Sequence, residues 1–269
     1  MKPHEMNNVT NDQIMPKPPL LEIRDGRKSF GHVAALRGVS LRARQGEVVA
    51  VVGDNGAGKS TLVKSLAGVH TLDSGEILVS GQPVDHADPR AARSLGISTV
   101  YQDLALVETL DIAANMFLGR PIRKWGVLAN RRQMIREAAE SLRNLNVRVP
   151  SVHVAVGELS GGQRQGVAIA RAVREKNPII LMDEPTAALG VRETAQIGEI
   201  INSLRMQGNC VILVCHDLEF VFNFADSIHV LRLGRTQGVR ATHETNREEI
   251  VSLITGAIDD DEEMGRKEK

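Results

Sequence analysis

Three short stretches of this chain combine residue types in spacings suited to holding and cleaving a triphosphate. The first is GDNGAGKS, Gly53 to Ser60, between the apolar run Glu47-Val48-Val49-Ala50-Val51-Val52 and a helix-like stretch from Thr61 to Ala67. A buried strand, a tight glycine turn and a helix start form the context of a P-loop, because the free amides of the first helical turn point at phosphate. Gly53, Gly56 and Gly58 let the backbone approach a β-phosphate with no Cβ in the way. Lys59 would place a positive charge between the β- and γ-phosphates, and the Ser60 hydroxyl is of the type that ligates magnesium. Asp54, Asn55, Ala57 and Thr61 belong to the same nucleotide-binding stretch.

The second stretch is Asp183-Glu184, which closes the apolar run Ile179-Ile180-Leu181-Met182. A central parallel strand ends in this way at a nucleotide site. Asp183 suits a magnesium ion, directly or through water, and Glu184 suits a base that polarises an attacking water. A further apolar run, Cys210 to Cys215, delivers His216 and Asp217. Since the strands before Gly53, Asp183 and His216 are all of parallel-core type, their C-terminal ends should converge on one crevice, with His216 in reach of a γ-phosphate.

The third stretch is LSGGQ, Leu159 to Gln163, opening a helix-like segment from Gln163 to Glu175 that carries Arg164, Arg171 and Arg174. Ser160, Gly161, Gly162 and Gln163 offer backbone amides, a helix dipole and a hydroxyl, which together make a second phosphate receptor. A match to these five residues arises by chance in about one chain in a few thousand.

These motifs need elements to position them. Glu22 to Arg24, Ser40 to Arg44 and Glu76 to Val79 suit short strands flanked by glycine, implying a small antiparallel layer beside the nucleotide core. From about Leu104 to Glu175 the pattern is helical, most clearly over Arg131 to Asn146, where Met134, Ile135, Ala138, Leu142 and Leu145 fall near one stripe. Val191 to Gln207 suits a helix stopped by Gly208, and Asn246 with Glu249 suits a capping box. The expected fold class is α/β: a P-loop, RecA-like nucleotide core, an antiparallel β subdomain, and an α-helical subdomain inserted between Gln102 and Asp183. The expected domain spans 20–256 with its helical part at about 104–175, between a flexible N-terminal tail at 1–19 and a charged C-terminal tail at 257–269.

Composition narrows the partners. Lys plus Arg equals Asp plus Glu at 33 each, so no basic field invites nucleic acid. The two cysteines, Cys210 and Cys215, stand five apart on one expected strand and face opposite sides, which suits a reducing compartment. No run of 18 apolar residues is present to cross a bilayer.

With these motifs in this order, the chain resembles the ATP-binding subunits of ABC transporters over about Leu20 to Gly256. The resemblance matches Gly53–Ser60 to the Walker A loop, Ile179–Glu184 to the Walker B strand with its catalytic glutamate, and Leu159–Gln163 to the signature. It also implies a switch histidine in His216 and a glutamine loop in Gln102, which would sense magnesium and attacking water. Phe30, within Ser29-Phe30-Gly31, would stack on adenine. The cofactors implied are ATP and Mg2+. The assembly implied is a head-to-tail homodimer, in which the signature of one subunit caps ATP on the Walker A loop of the other. One departure is Ala187-Ala188-Leu189-Gly190, where the family commonly has Ser-Ala-Leu-Asp; Gly190 brings no carboxylate to the dimer, which bears on communication between the two ATP sites.

Asn115 to Arg120 and Glu184 to Glu193 further resemble bacterial importers of simple sugars such as ribose, xylose and fructose. Partners implied are an integral membrane permease and, indirectly, a periplasmic or extracellular solute-binding protein, with the subunit peripheral on the cytoplasmic face of the bacterial inner membrane. Tyr101, Leu106, Met116 and Phe117 are candidates for the permease-facing cleft, with core packing as the competing role. The rival readings are an ABC ATPase for amino acids or another small solute, and a non-transport ATPase of translation or DNA repair. The latter class has a second cassette or coiled coil and a basic surface.

Overall fold

The computed structural model describes residues 18–84, 88–124 and 128–258. The tails expected at 1–19 and 257–269 therefore lie, except for 18–19 and 257–258, outside the described residues.

Along the chain, β1 (Leu21–Phe30) and β2 (Val33–Ala43) form a hairpin, and β3 (Val48–Gly53) leads through the glycine turn into α1 (Lys59–Leu66). Next come β4 (Ser74–Val79), β5 (Gln82–Pro83), α2 (Pro89–Ser94) and β6 (Ile97–Val100). A mainly helical portion follows, with α3 (Ile112–Met116), the small hairpin of β7 (Arg123–Lys124) and β8 (Leu128–Ala129), α4 (Arg131–Asn144) and α5 (Gly161–Val173). The chain continues through β9 (Ile179–Asp183), α6 (Val191–Met206), β10 (Cys210–Val214) and α7 (Leu218–Phe224). It closes with β11 (Ser227–Arg232), β12 (Arg235–Ala241) and α8 (Arg247–Thr255).

Two sheets organise the molecule. The larger has the order β12-β11-β3-β10-β9-β6, and its pairs are parallel except β11 with β12. The smaller is antiparallel with the order β2-β1-β4-β5. β3, β9 and β10 are buried on both faces, which is why they read as continuous Val/Ile/Leu runs without alternation. Val48, Ala50 and Val52 share one core with residues of the helices from α3 to α8, whereas Val49 and Val51 share the other with α1 and the small sheet. Cys210 and Cys215 fall into these two separate cores, as their odd spacing requires.

Several elements differ from the sequence-based expectation. β1 and β2 are far longer than their apolar centres, because their outer ends carry Arg, Lys and Ser on exposed faces where alternation is no longer visible. The helical expectation from Leu104 meets an irregular loop up to Asp111 and the β7–β8 hairpin. Buried Asn115 makes that loop possible: its Oδ1 accepts the Val107 amide at 2.8 Å, and its Nδ2 donates to Val107, Leu110 and Asp111 carbonyls at 2.9–3.1 Å. These bonds replace a helical ladder. On α4, Met134, Ala138 and Leu142 are buried and Ile135 packs at the margin. Gly208 follows α6 with φ +86°, and Asn246 caps α8 by accepting the Glu249 amide at 3.0 Å.

His229 on β11 is 5% exposed, its Nδ1 has no hydrogen-bond partner among the described residues, and burial pushes its pKa down to about 4. A depressed histidine must be charged on acid unfolding, so stability falls as pH drops from the ordinary value of 6.5 through about 4. We expect a slope of about 1.4 kcal/mol per pH unit from this one proton, and His229→Phe to flatten it in urea melts recorded across that range. An unchanged slope in the variant would assign the acid sensitivity elsewhere.

Candidate active site

The glycine turn after β3 is shaped by close approaches. Gly58 has φ +105° and caps α1, and a Cβ there would come within 2.7 Å of the Ala35 carbonyl oxygen. Gly56 has φ +79° with open space around it, so a ligand can come close to the backbone. Because Gly58 already serves as the cap, the helix begins at Lys59, earlier than Thr61, and Leu62 donates to the Gly58 carbonyl at 2.9 Å. Lys59 is 8% exposed, and its Nζ donates to the carbonyls of Gly53 at 2.8 Å and Asp54 at 3.0 Å. Asp54 also accepts the Asn55 amide at 2.7 Å and the Ala57 amide at 3.1 Å, which tightens the turn. Ser60 is exposed and Thr61 half-buried at the start of α1.

The ends of β9 and β10 bring together the residues that sequence separates by 32 positions. Glu184 adopts a left-handed backbone, φ +53°, while its amide still donates to Val214 at 3.0 Å. Such a conformation costs about 1–3 kcal/mol for a residue with a Cβ. It turns the side chain out of the strand, where Glu184 Oε2 meets His216 Nδ1 in a short contact. Below them, Thr186 Oγ1 lies 3.7 Å from Cys215 Sγ and ties the two strand ends together.

Asp183 is 8% exposed, and its Oδ1 is sealed from solvent with no hydrogen-bond donor among the described residues. Desolvation, reinforced by the neighbouring Glu184 carboxylate, raises its pKa, against the pull of Lys64 and Lys59. A buried, unsatisfied carboxylate oxygen fits a hard divalent cation. Among the described residues no cluster of three His, Cys, Asp or Glu side chains stands ready for a metal, so hydroxyl, water and phosphate oxygens must complete any coordination shell.

The other candidates occupy distinct places. Ser160 caps α5: Gln163 Oε1 accepts the Ser160 amide at 3.0 Å, and Ser160 Oγ accepts the Gln163 amide at 3.4 Å. Gly162 seats α5 against α6, since a Cβ there would lie 2.6 Å from Glu193 Cγ. Glu193 Oε2 in turn accepts the Gly190 amide at 3.0 Å. Gln102, Gly161 and Ala187 to Leu189 share a cavity of about 320 Å3, and no residue of the 53–60 turn lines it. Phe30 is 44% exposed at the end of β1. Its ring meets His70 edge-on at 5.0 Å, with Lys28 Nζ 5.6 Å from the ring centre. Asp73 holds that strand end by accepting Lys28 Nζ at 2.8 Å and the Ser29 amide at 2.6 Å.

Met116 and Phe117, considered for a partner-facing cleft, are each 1% exposed and belong to the core. Tyr101 and Leu106 are half-buried. His70 and Asp73 were not among the sequence candidates; each is a lone polar residue in a loop, and only the folded path brings them to Phe30.

The chain is similar to known proteins over most of its length. The family model described as ABC transporter matches residues 36–187. A xylose/arabinose import ATP-binding protein of Sulfolobus acidocaldarius is 46% identical over 236 residues, covering 88% of this chain and 94% of the relative. A fructose import ATP-binding protein of Rhizobium meliloti is 43% identical over 250 residues, covering 90% and 96%. A ribose import ATP-binding protein of Yersinia pestis is 40% identical, but the chain spans only 47% of its length. Among solved structures, an ATP-binding cassette of an ABC transporter in its ADP conformation superposes with TM-score 0.76 at 26% identity, covering 88% of this chain and 95% of that one. A dimeric cassette bound to ADP and Pi superposes with TM-score 0.70 at 26% identity, covering 82% and 98%.

The chain belongs to the ABC transporter family. It is an ATP-binding cassette, an α/β ATPase of the P-loop type.

Because burial raises the pKa of Asp183, its ionisation opposes folding: the penalty is present at neutral pH and disappears as pH falls to the ordinary carboxylate value of 3.8. Without divalent metal, Asp183→Asn should melt at a higher temperature than the parent chain near pH 7, and the two should converge near pH 4. Calorimetry at both pH values checks this; a variant that is less stable at pH 7 would show that the buried carboxylate is already satisfied.

Proposed function

We propose that the chain acts as the motor of a sugar importer: a head-to-tail homodimer of cassettes that couples ATP binding and hydrolysis to uptake of a simple sugar through a separate membrane permease. The observation that carries the catalytic part is the Glu184–His216 contact at the strand ends, with the unsatisfied oxygen of Asp183 on the preceding residue. In this reading the amides of 53–61 and Lys59 cradle the phosphates. Ser60 and Asp183, with Gln102 as a third candidate, would hold Mg2+, which when bound would offset phosphate charge. Glu184 takes the proton of the attacking water, and His216 holds that carboxylate in position and touches the γ-phosphate. Phe30 stacks on adenine, an interaction of about 1–3 kcal/mol by analogy with base–aromatic contacts.

Ser160, Gly161, Gly162 and Gln163 complete the pocket from the partner subunit, so ATP closes the dimer and hydrolysis opens it. Support for the separation of the two half-sites is the Gln102–Gly161 cavity, which contains no Gly53–Ser60 residue. Gly190 offers backbone groups alone: its amide donates to Glu193 Oε2 and its carbonyl accepts the Thr194 amide. The sugar assignment rests on the xylose/arabinose, fructose and ribose import subunits named above. No helix among the described residues is long and apolar enough to cross a membrane, in keeping with a separate permease and a peripheral place on the cytoplasmic face. A solute-binding protein outside the membrane would deliver the sugar. A balanced charge of 33 against 33 gives no reason to add a nucleic-acid partner.

Glu184→Gln should retain ATP binding, lower kcat by roughly 10²–10⁴-fold, and hold an ATP-bound dimer that elutes at twice the monomer mass. Undiminished turnover in that variant would remove Glu184 from the chemistry. The cargo is tested in proteoliposomes holding the cassette with its permease and binding protein: pentoses or hexoses should stimulate ATP hydrolysis. Stimulation by amino acids and by no sugar would reject the importer class while leaving the ATPase intact.

A further inference from the structure

The loop that carries Gln102 is strapped to the helix that begins with the signature residues. Arg171, near the C-terminal end of α5, donates from Nη2 to the Leu104 carbonyl at 2.6 Å and from Nη1 to the Ala105 carbonyl at 2.8 Å. Ala105 lies at a left-handed bend, φ +48°, that turns its carbonyl into line with that of Leu104. The guanidinium is half-buried, desolvation lowers its pKa, and among the described residues no carboxylate pairs with it. A charge kept from water is tolerated only where acceptors replace the lost solvation, and here the two carbonyls of this loop do so. The planar fork of arginine matches two parallel acceptors, which a single ammonium cannot do. A second tie runs nearer the start of the helix, where Arg164 lies 3.7 Å from Glu108 across exposed surface. The far end of the loop is anchored by the four hydrogen bonds of Asn115.

We infer that Arg171 is a positioning residue that makes the glutamine loop and the signature helix move as one piece. α5 runs from Gly161 to Val173, so Arg171 sits about 15 Å along the rod from the Ser160–Gln163 turn at 1.5 Å per residue. A displacement of Gln102 and its loop thereby tilts the turn that closes the partner's nucleotide pocket. The inference rests on the composite ATP site proposed above, and it names the link by which events at the glutamine loop govern closure of the dimer. Arg171 bonds the loop's carbonyls, and its effect passes through backbone position.

The test measures ATP-driven dimerisation by sedimentation in a Glu184→Gln background, beside ATP affinity of the single chain by equilibrium titration. Adding Arg171→Lys should weaken dimerisation at least tenfold, while ATP affinity and melting temperature stay within twofold and a few degrees of the parent. In a second arm, Ala105→Cys with Arg171→Cys should be equally impaired, and a short bis-maleimide joining the two new thiols should restore dimerisation; the native Cys210 and Cys215 are buried. If the lysine variant dimerises as well as its parent, or if the cross-link restores nothing, the strap is refuted. A large loss of ATP affinity or of melting temperature in the lysine variant would also refute it, by showing a merely structural role. Failure of the Glu184→Gln parent itself to dimerise with ATP overturns the composite site, a separate result.

Discussion

The parallel register of three strands is the constraint on which the site depends. Val214 on β10 pairs with Val51 on β3 and with Asp183 on β9, so these residues lie in one row across the sheet. Just beyond that row stand Gly53, Glu184 and His216, the beginnings of three loops that carry the candidate site. A slip of one residue in either pairing would turn Asp183 from one face of the sheet to the other and set Glu184 out of reach of His216. The slip is prevented by burial: both faces of β9 and β10 are packed, and every alternate residue already has its own core. The apolar runs therefore do more than stabilise the sheet, since they align the polar groups at its edge.

Electrostatically, that edge is arranged at a cost to folding. Asp183 is shielded from water with an unsatisfied oxygen, and Glu184 is held in a backbone conformation that disfavours side chains. Two adjacent carboxylates in a poorly hydrated place repel one another, and the cations of Lys59 and Lys64 relieve this only in part. A shielded carboxylate oxygen of this kind is suited to a cation, whose binding would relieve what folding left unsatisfied.

Much of this was legible in the sequence. The Gly53–Ser60 turn, the strand before Asp183 and the helix opened by Leu159–Gln163 each depend on neighbours within a few residues, so local pattern suffices to place them. The helix boundaries were off by about two residues at α1 and α5, because glycine and serine caps sit outside the apolar periodicity. The parts that local pattern misses are made by distant chain. Arg171 shows only as one of several arginines along a helix, and its carbonyl partners lie 66 and 67 positions away. Phe30 acquires its aromatic neighbour from a loop beyond α1, and Asn115 fills a loop core that composition alone presents as helix. The left-handed backbone of Glu184 has no signature in residue type at all.

The seating of Gly162 on Glu193 has a consequence for any pair of these subunits. With no side chain at 162, the opening turn of α5 rests on the first turn of α6, which follows directly from the segment bearing Glu184. In the proposed dimer, the segment bearing Glu184 and the turn offered to the neighbour would thus be geared through methylene contacts a few ångströms across. Gly190 brings no acidic side chain there, so any such meshing would work by shape instead of charge.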